Sequence, residues 1–193
     1  RPMEAAMNGL PGVLRVRSQT TQGLSSVVVE FDIETEFWRA HRHYAGIIHF
    51  VYLTCSYPGV YTADHFADVT RLKLDPAFAD YMGEAFKPLG LYINFFQPTL
   101  KGGAAREFTV MMVNDDAQPQ KGSLTLSLET KAGKVLARTQ QEFSIPELGA
   151  QSCSISLKVP AYAGDCILKA VARADGKRAS DATVCRRRVS LTE

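Results

Sequence analysis

The sequence has no apolar run long enough to cross a membrane. Its densest stretch, 45–53, is broken by Gly46 and His49 and falls well short of the about 20 residues a spanning helix needs. Charge of one sign is also scarce, with 22 Lys+Arg against 20 Asp+Glu and a net charge of +2. Phosphate binding needs clustered Lys and Arg, so nucleic acid is not expected as a partner. The one basic run, Arg186-Arg187-Arg188, reads as a solvated strand or chain end. Cysteine is sparse as well. Cys55, Cys153, Cys166 and Cys185 form no CxxC pair and show no zinc spacing. Burial is the default for Cys153, Cys166 and Cys185, with a disulfide among them as the second reading. No basic segment leading into an apolar run and a small-residue cleavage site stands near Arg1, so no leader is read there, and the chain reads as a fragment or processed piece.

What is present is 46% apolar residues over 193 positions, enough for a sizeable core. The chain divides into three segments of different character. Residues 1–37 read as an α/β fragment: a helix stub at 3–7, turns at Asn8-Gly9 and Pro11-Gly12, then two alternating runs. Leu14 and Val16 alternate with Arg15 and Arg17, and Val27, Val29 and Phe31 alternate with Val28, Glu30 and Asp32, with Gly23 between the runs. Period two with a polar face predicts a hairpin of half-buried strands. Such a piece is too small to hold a core alone.

Residues 38–90 open with an aromatic, histidine-rich entry from Trp38 to Tyr44 and continue into the run 45–53, apolar on both parities. That is the pattern of a strand covered on both faces. A long irregular stretch, 54–74, follows, with Tyr57, Tyr61 and Phe66 among its residues. Loops of this length in compact domains tend to be functional. A helix is then well signalled. Asp75 is the N-cap, Pro76 the first position, and Phe78, Tyr81, Met82, Ala85 and Phe86 form one stripe before Lys87-Pro88 ends it.

From 91 to 193 the chain alternates as strands throughout. Seven candidates, at 91–97, 106–114, 122–129, 135–143, 153–159, 166–173 and 183–191, are separated by turn-rich pieces. Leu124, Leu126 and Leu128 share one face, as do Cys153, Ile155, Leu157 and Val159. The spacing predicts an immunoglobulin-like β-sandwich. The fold class is therefore mainly β, a C-terminal sandwich preceded by a partial βα unit and an N-terminal α/β hairpin fragment. The sandwich is expected to fold by itself, with 1–37 poorly docked.

Two resemblances follow from particular residues. Trp38-Arg39-Ala40-His41-Arg42-His43-Tyr44-Ala45-Gly46-Ile47-Ile48-His49-Phe50, Thr62-Ala63-Asp64-His65-Phe66 and Glu84-Ala85-Phe86-Lys87-Pro88-Leu89-Gly90 resemble the end of the catalytic barrel of family 2 glycoside hydrolases, the β-galactosidase and β-mannosidase group. Arg106-Glu107-Phe108-Thr109-Val110-Met111-Met112-Val113-Asn114-Asp115 is similar to the opening of the immunoglobulin-like domain that follows that barrel. The resemblance covers 38–193. It implies that 45–53 is the last barrel strand, the helix after Asp75 the last barrel helix, and 91–193 a supporting sandwich. The missing upstream barrel is then the partner, and carbohydrate the ligand. The family's two catalytic glutamates lie on earlier strands, so no catalytic residue is carried over and no cofactor or metal is called for. The compartment is left open, with a periplasmic or secreted parent as one reading.

Asn8-Gly9-Leu10-Pro11-Gly12-Val13 and Gly23-Leu24-Ser25-Ser26-Val27-Val28-Val29-Glu30-Phe31-Asp32 resemble instead a porter subdomain of heavy-metal efflux pumps of the resistance-nodulation-division class. The two resemblances meet around 34–42, which implies a join between unrelated genes. A transporter piece, or a plain binding or scaffold sandwich, is the alternative to a glycosidase fragment.

Individual residues sharpen this little. His41 and His43 would share one side of a strand and offer two metal ligands, but packing or exposure is the favoured reading. His49 reads as a core histidine, and Cys55 as buried. Asp64, His65 and Asp68 lack a nucleophile or an opposing carboxylate, so a loop held by carboxylate hydrogen bonds is favoured. If the parent is a glycosidase, Tyr57, Asp64 and His65 are the candidates to lie near the sugar. Gly102-Gly103 lacks the lysine and helix of a phosphate loop and reads as a flexible connection.

Overall fold

The computed structural model describes the backbone of residues 13–21, 24–31, 34–43, 55–57, 60–61, 66–68 and 70–192, and the side chains of 35–43, 66–68 and 70–192. The expected helix stub at 3–7, Gly23, the apolar strand 45–53 with His49, and Asp64 and His65 lie outside the described residues. The N-terminal hairpin is present: β1 (Val13–Thr21) pairs antiparallel with β2 (Leu24–Phe31), Val16 opposite Val29 and Ser18 opposite Val27.

The aromatic entry is a helix. α1 (Glu34–Ala40) runs across position 37/38, where the two segments were expected to divide. His41 and His43 follow the helix at a turn, so they are not the strand pair that alternation would give. The stretch 54–74 is less irregular than expected. β3 (Cys55–Tyr57) pairs with β4 (Val60–Tyr61), and β5 (Phe66–Asp68) with β6 (Lys73–Leu74). Asp68 closes the second of these turns, its Oδ1 accepting from the Arg71 N–H at 3.1 Å.

α2 (Pro76–Ala85) starts and stops where its sequence signals place it. The Asp75 carboxylate accepts from the N–H groups of Ala77 and Phe78 at 2.9 and 3.1 Å, satisfying donors that the first helical turn leaves open. Its apolar stripe is only partly used. Ala85 is buried, whereas Phe86, just past the last turn, stays 47% exposed.

The remainder is a β-sandwich of two sheets. One sheet has the order β11 (Val135–Ile145), β10 (Gln120–Thr130), β13 (Gly164–Ala174), β14 (Thr183–Thr192), β8 (Thr99–Lys101). The other has the order β12 (Ala150–Lys158), β9 (Ala105–Asn114), β7 (Leu89–Ile93). All seven expected strands are found, together with β8, which pairs parallel to the end of β14 through Leu100 opposite Leu191. The two inner faces meet as alternation predicts, with Leu124, Leu126 and Leu128 of one sheet and Val110, Met112, Cys153, Ile155 and Leu157 of the other in one buried core.

The Gly102-Gly103 pair is not a loose connection. Gly102 N–H donates to Thr192 O at 2.8 Å and Gly103 N–H to Val159 O at 3.0 Å. A Cβ on Gly102 would sit 2.6 Å from Pro160 O, and Gly103 has φ +90°. The pair is a pinned turn that only glycine fits at these spacings.

Candidate functional site

The densest concentration of polar and charged side chains lies where α1 and α2 meet the sandwich, at the seam between β7 and β14. On β14 the inward positions are Thr183, Cys185, Arg187, Val189 and Leu191, all buried. Arginine at such a position must bring its charge into the interior, at a desolvation cost of several kcal/mol unless it is paired. The pairing is extensive. Arg187 Nη1 lies 2.9 Å from Glu36 Oε2 on α1, and both side chains are almost fully enclosed. Arg187 Nε donates to Ile93 O at 3.2 Å and Nη1 to Arg186 O at 2.8 Å. The guanidinium also stands 5.3 Å from the centre of the Tyr92 ring, within cation–π reach. Cys185 completes the cluster: its S–H donates to Glu36 Oε2 at 3.1 Å, and its sulfur accepts from Ile93 N–H at 3.4 Å.

This enclosure sets the protonation of its neighbours. Burial pushes the Tyr92 hydroxyl up to about 12, against the opposing pull of Arg187. Burial likewise pushes the Cys185 thiol up, again opposed by Arg187. Both shifts favour the neutral form over the reactive anion.

A second layer clamps α1 from outside. Arg39 donates to Ala85 O and, at 2.9 Å, to Lys87 O; its Nη2 also reaches Asp115 Oδ2 at 2.6 Å. Arg42 takes the other oxygen of Asp115 at 2.6 Å. Gly90 makes room for this, since a Cβ there would lie 3.2 Å from Arg39 Nη1. Between the two layers Ala40, Tyr92 and Val113 form a small apolar cluster with Phe37 and Met111 packed on it. α2 is held similarly: Glu84 Oε2 accepts from Val184 N–H at 2.7 Å, Lys87 Nζ bridges Glu84 Oε1 and Ala182 O, and Arg186 pairs with Asp80 at 2.8 Å. The basic run is thus structural, with Arg188 alone of the three exposed, and the reading of it as a solvated strand fails for Arg187.

His41 packs on Phe37, its Nδ1 2.7 Å from Phe37 O, and its ring lies 6.0 Å from that of His43. Among the described residues no group of three or more His, Cys, Asp or Glu is placed to hold a metal ion. Cys153, Cys166 and Cys185 are free and buried, as the default reading had it. Tyr57 lies on β3; Asp64 and His65 are outside the described residues. Sequence reasoning missed Glu36, Arg187, Arg39 and Asp115. One signal was available: Arg187 shares the parity of Cys185, Val189 and Leu191.

One further concavity is an open groove of about 530 Å³ lined by Pro98, Lys131, Asp165, Arg188 and Ser190. Asp165 is engaged by Lys131 at 2.7 Å and by the Ser190 hydroxyl at 2.5 Å, so its charge is already committed.

No family model matches the chain, and no curated protein matches it. Solved structures resemble it weakly. The C-terminal domain of wzt is 19% identical over 53% of this chain and 70% of its own, with a TM-score of 0.40. Red sea bream transglutaminase is 15% identical, covering 63% of this chain and 20% of its own, also at 0.40. A family 123 glycoside hydrolase from Clostridium perfringens, described as acting on glycolipid glycans, is 12% identical over 54% of this chain and 27% of its own, at 0.37. The chain thus spans between a fifth and a little over a quarter of the two enzymes. At this level of similarity the comparisons carry no argument about function.

Proposed function

We propose that residues 34–193 are the non-catalytic C-terminal part of a carbohydrate-active glycoside hydrolase, a β-sandwich rigidly seated on the end of the catalytic barrel. The observation that carries the support role is the Glu36–Arg187 pair, at 2.9 Å and almost fully enclosed. A module that merely follows a catalytic domain on a tether needs no buried charge at its junction. Here α1 is held on the sandwich by that pair and by Asp115 accepting from Arg39 and Arg42. The glycosidase identity rests on the resemblance of 38–193 to family 2 enzymes. In the parent enzyme Tyr57, Asp64 and His65 would lie on the sugar side. The resemblance carries over neither of that family's two catalytic glutamates, the pair that retaining hydrolysis uses.

The test is a long sequencing read of the native transcript through the codons for Glu34 to Arg42 and upstream. Barrel strands carrying two glutamates and leading into Glu34 are the expected result. An unbroken transporter-like segment running into Glu34 would overturn the reading, as would hydrolysis of aryl β-galactosides or β-mannosides by the 193-residue chain alone.

A further inference from the structure

The two sheets of the sandwich leave the outer side of β11 as a strand edge that no described strand covers. Free edges are templates for pairing with another chain, and proteins usually blunt them with charge, proline or a bulge. On β11 the bulge and the proline lie only at the ends. The β10–β11 register slips between Leu128 and Glu129, opposite Leu136, and Pro146 follows the last residue of the strand. Between these points the register from Ala137 to Ile145 is unbroken.

The charges on this edge complement one another. Arg138, Gln140, Glu142 and Ser144 are all exposed on the outer face, while Ala137, Thr139, Gln141 and Phe143 point inward. Neither Arg138 nor Glu142 has an ion-pair partner within the chain among the described residues. In an antiparallel ladder, directly opposed residues share a face, so a second copy of β11 can pair only in registers centred on a single residue. Centred on Arg138 or on Glu142, like charges oppose. Centred on Thr139 or Gln141, one charge of each pair faces Gln140. Centred on Gln140, Arg138 of each copy faces Glu142 of the other, and Ala137 faces Phe143. In that register the opposed residues run from Ala137 to Phe143, all within the regular stretch of the strand.

We propose that this chain forms a two-fold dimer by antiparallel pairing of β11 with β11 of a second copy about Gln140, joining the two five-stranded sheets into one continuous sheet. The contact is isologous and closes on itself. A second edge strand, β12, carries Ser152, Ser154, Ser156 and Lys158 at exposed positions and has no acidic partner to offer Lys158, so it lacks this self-complementarity.

Sedimentation velocity on the full chain from low micromolar to several hundred micromolar tests it. The unaltered protein is expected to pass from monomer to dimer. Arg138→Glu places Glu opposite Glu twice and Glu142→Arg places Arg opposite Arg twice; each is expected to weaken dimerisation about tenfold or more, and the two changes together to restore it. Gln140→Lys, which sets two lysines face to face on the axis, supplies an independent disruption. All three positions are solvent-facing, and far-UV circular dichroism checks that each variant is folded. A chain that stays monomeric throughout the range overturns the proposal. So does a dimer that neither single change nor Gln140→Lys weakens, since it would then form through another surface.

Discussion

Glu36 on α1 and Arg187 on β14 stand 2.9 Å apart with side-chain exposures of 3% and 6%, so the first described helix and the last strand of the chain share one buried charge pair. Such a pair contributes little net stability when compared with apolar residues of the same size, but removing one partner is costly because the other charge remains buried.

Glu36→Gln therefore should lower stability by about 3–5 kcal/mol, although it keeps the shape of the side chain. Glu36→Leu combined with Arg187→Met should recover most of that loss, short of the hydrogen bonds that Ile93 O and Arg186 O accept from the guanidinium. Urea unfolding with an unchanged slope measures both. Equal losses in the single and double variants would mean that the pair adds no charge-specific constraint.

The Asp115 clamp makes stability depend on acid. Burial works to raise the pKa of this carboxyl, but the hydrogen bonds and charges of Arg39 and Arg42 outweigh it and hold the group below its usual 3.8. The folded state thus binds this proton less readily than the unfolded chain. The stabilisation is complete above about pH 4 and is lost as pH falls through the lowered folded value. Because the Asp115 side chain is 42% exposed, solvent screening limits the effect to about 0.5–1 kcal/mol. Asp115→Asn should melt earlier than the parent at neutral pH, and the gap should close in strong acid. A gap that persists there would assign the loss to packing instead.

The sandwich was legible because its signals are local and periodic. Leu124, Leu126 and Leu128 announce an inner face through parity alone, and Asp75-Pro76 announces a helix start through two adjacent residues. β8 escaped because three residues between Pro98 and Gly102 cannot establish a period, and its partner on β14 is parallel and distant in sequence. The clamp escaped for a related reason. Glu36 has no local feature that sets it apart from Glu30 or Glu34, and only the fold brings Arg187 to it. Asn114-Asp115-Asp116 opens one of the polar pieces between expected strands, yet Asn114 is fully buried, donating to Gln118 O and Pro146 O, and Asp115 reaches back to α1. A turn signal fixes the backbone and says nothing of where its side chains go. The apolar spacing after Asp75 overstated the buried face of α2, because a stripe reports only that a face can be covered; Phe86 stays largely open beneath Arg39, whose guanidinium lies 6.0 Å from its ring centre.

The three described thiols should be inert in the folded protein. Burial raises the pKa of Cys153 against a hydrogen bond from Gln141, burial and then Asp165 raise that of Cys166, and burial raises that of Cys185 against Arg187. In a Cys55→Ser background an aromatic disulfide reagent should react at the rate of chain opening at neutral pH, and with all three thiols at once in urea. The sign at alkaline pH follows: with folded values above the unfolded one, stability from the neutral thiols is complete below about pH 8.5 and declines as pH rises through the folded values. A single thiol that reacts quickly in the native state would show that its segment opens locally.

The same contacts decide where the stable unit begins. The sandwich from 91 was expected to stand alone with 1–37 poorly docked, but Thr35 to Arg42 supply the buried carboxylate for Arg187, the apolar cover for Tyr92 and Val113, and both partners of Asp115. A chain beginning at Asp32 should therefore melt as the full chain does, because β1 and β2 pair with each other. A chain beginning at Tyr44 keeps α2 and the whole sandwich but strands the Arg187 charge, and it should lose at least about 3 kcal/mol. Adding a synthetic peptide of residues 32–43 in excess should recover part of that loss by binding the native state alone, and the same peptide with Glu36→Gln should recover less. If the chain from Tyr44 melts at the parent's midpoint, α1 is an appendage and the sandwich is the stable unit. If it does not, the folding unit is α1, α2 and the sandwich together, and limited proteolysis of the full chain should leave 35–42 uncut.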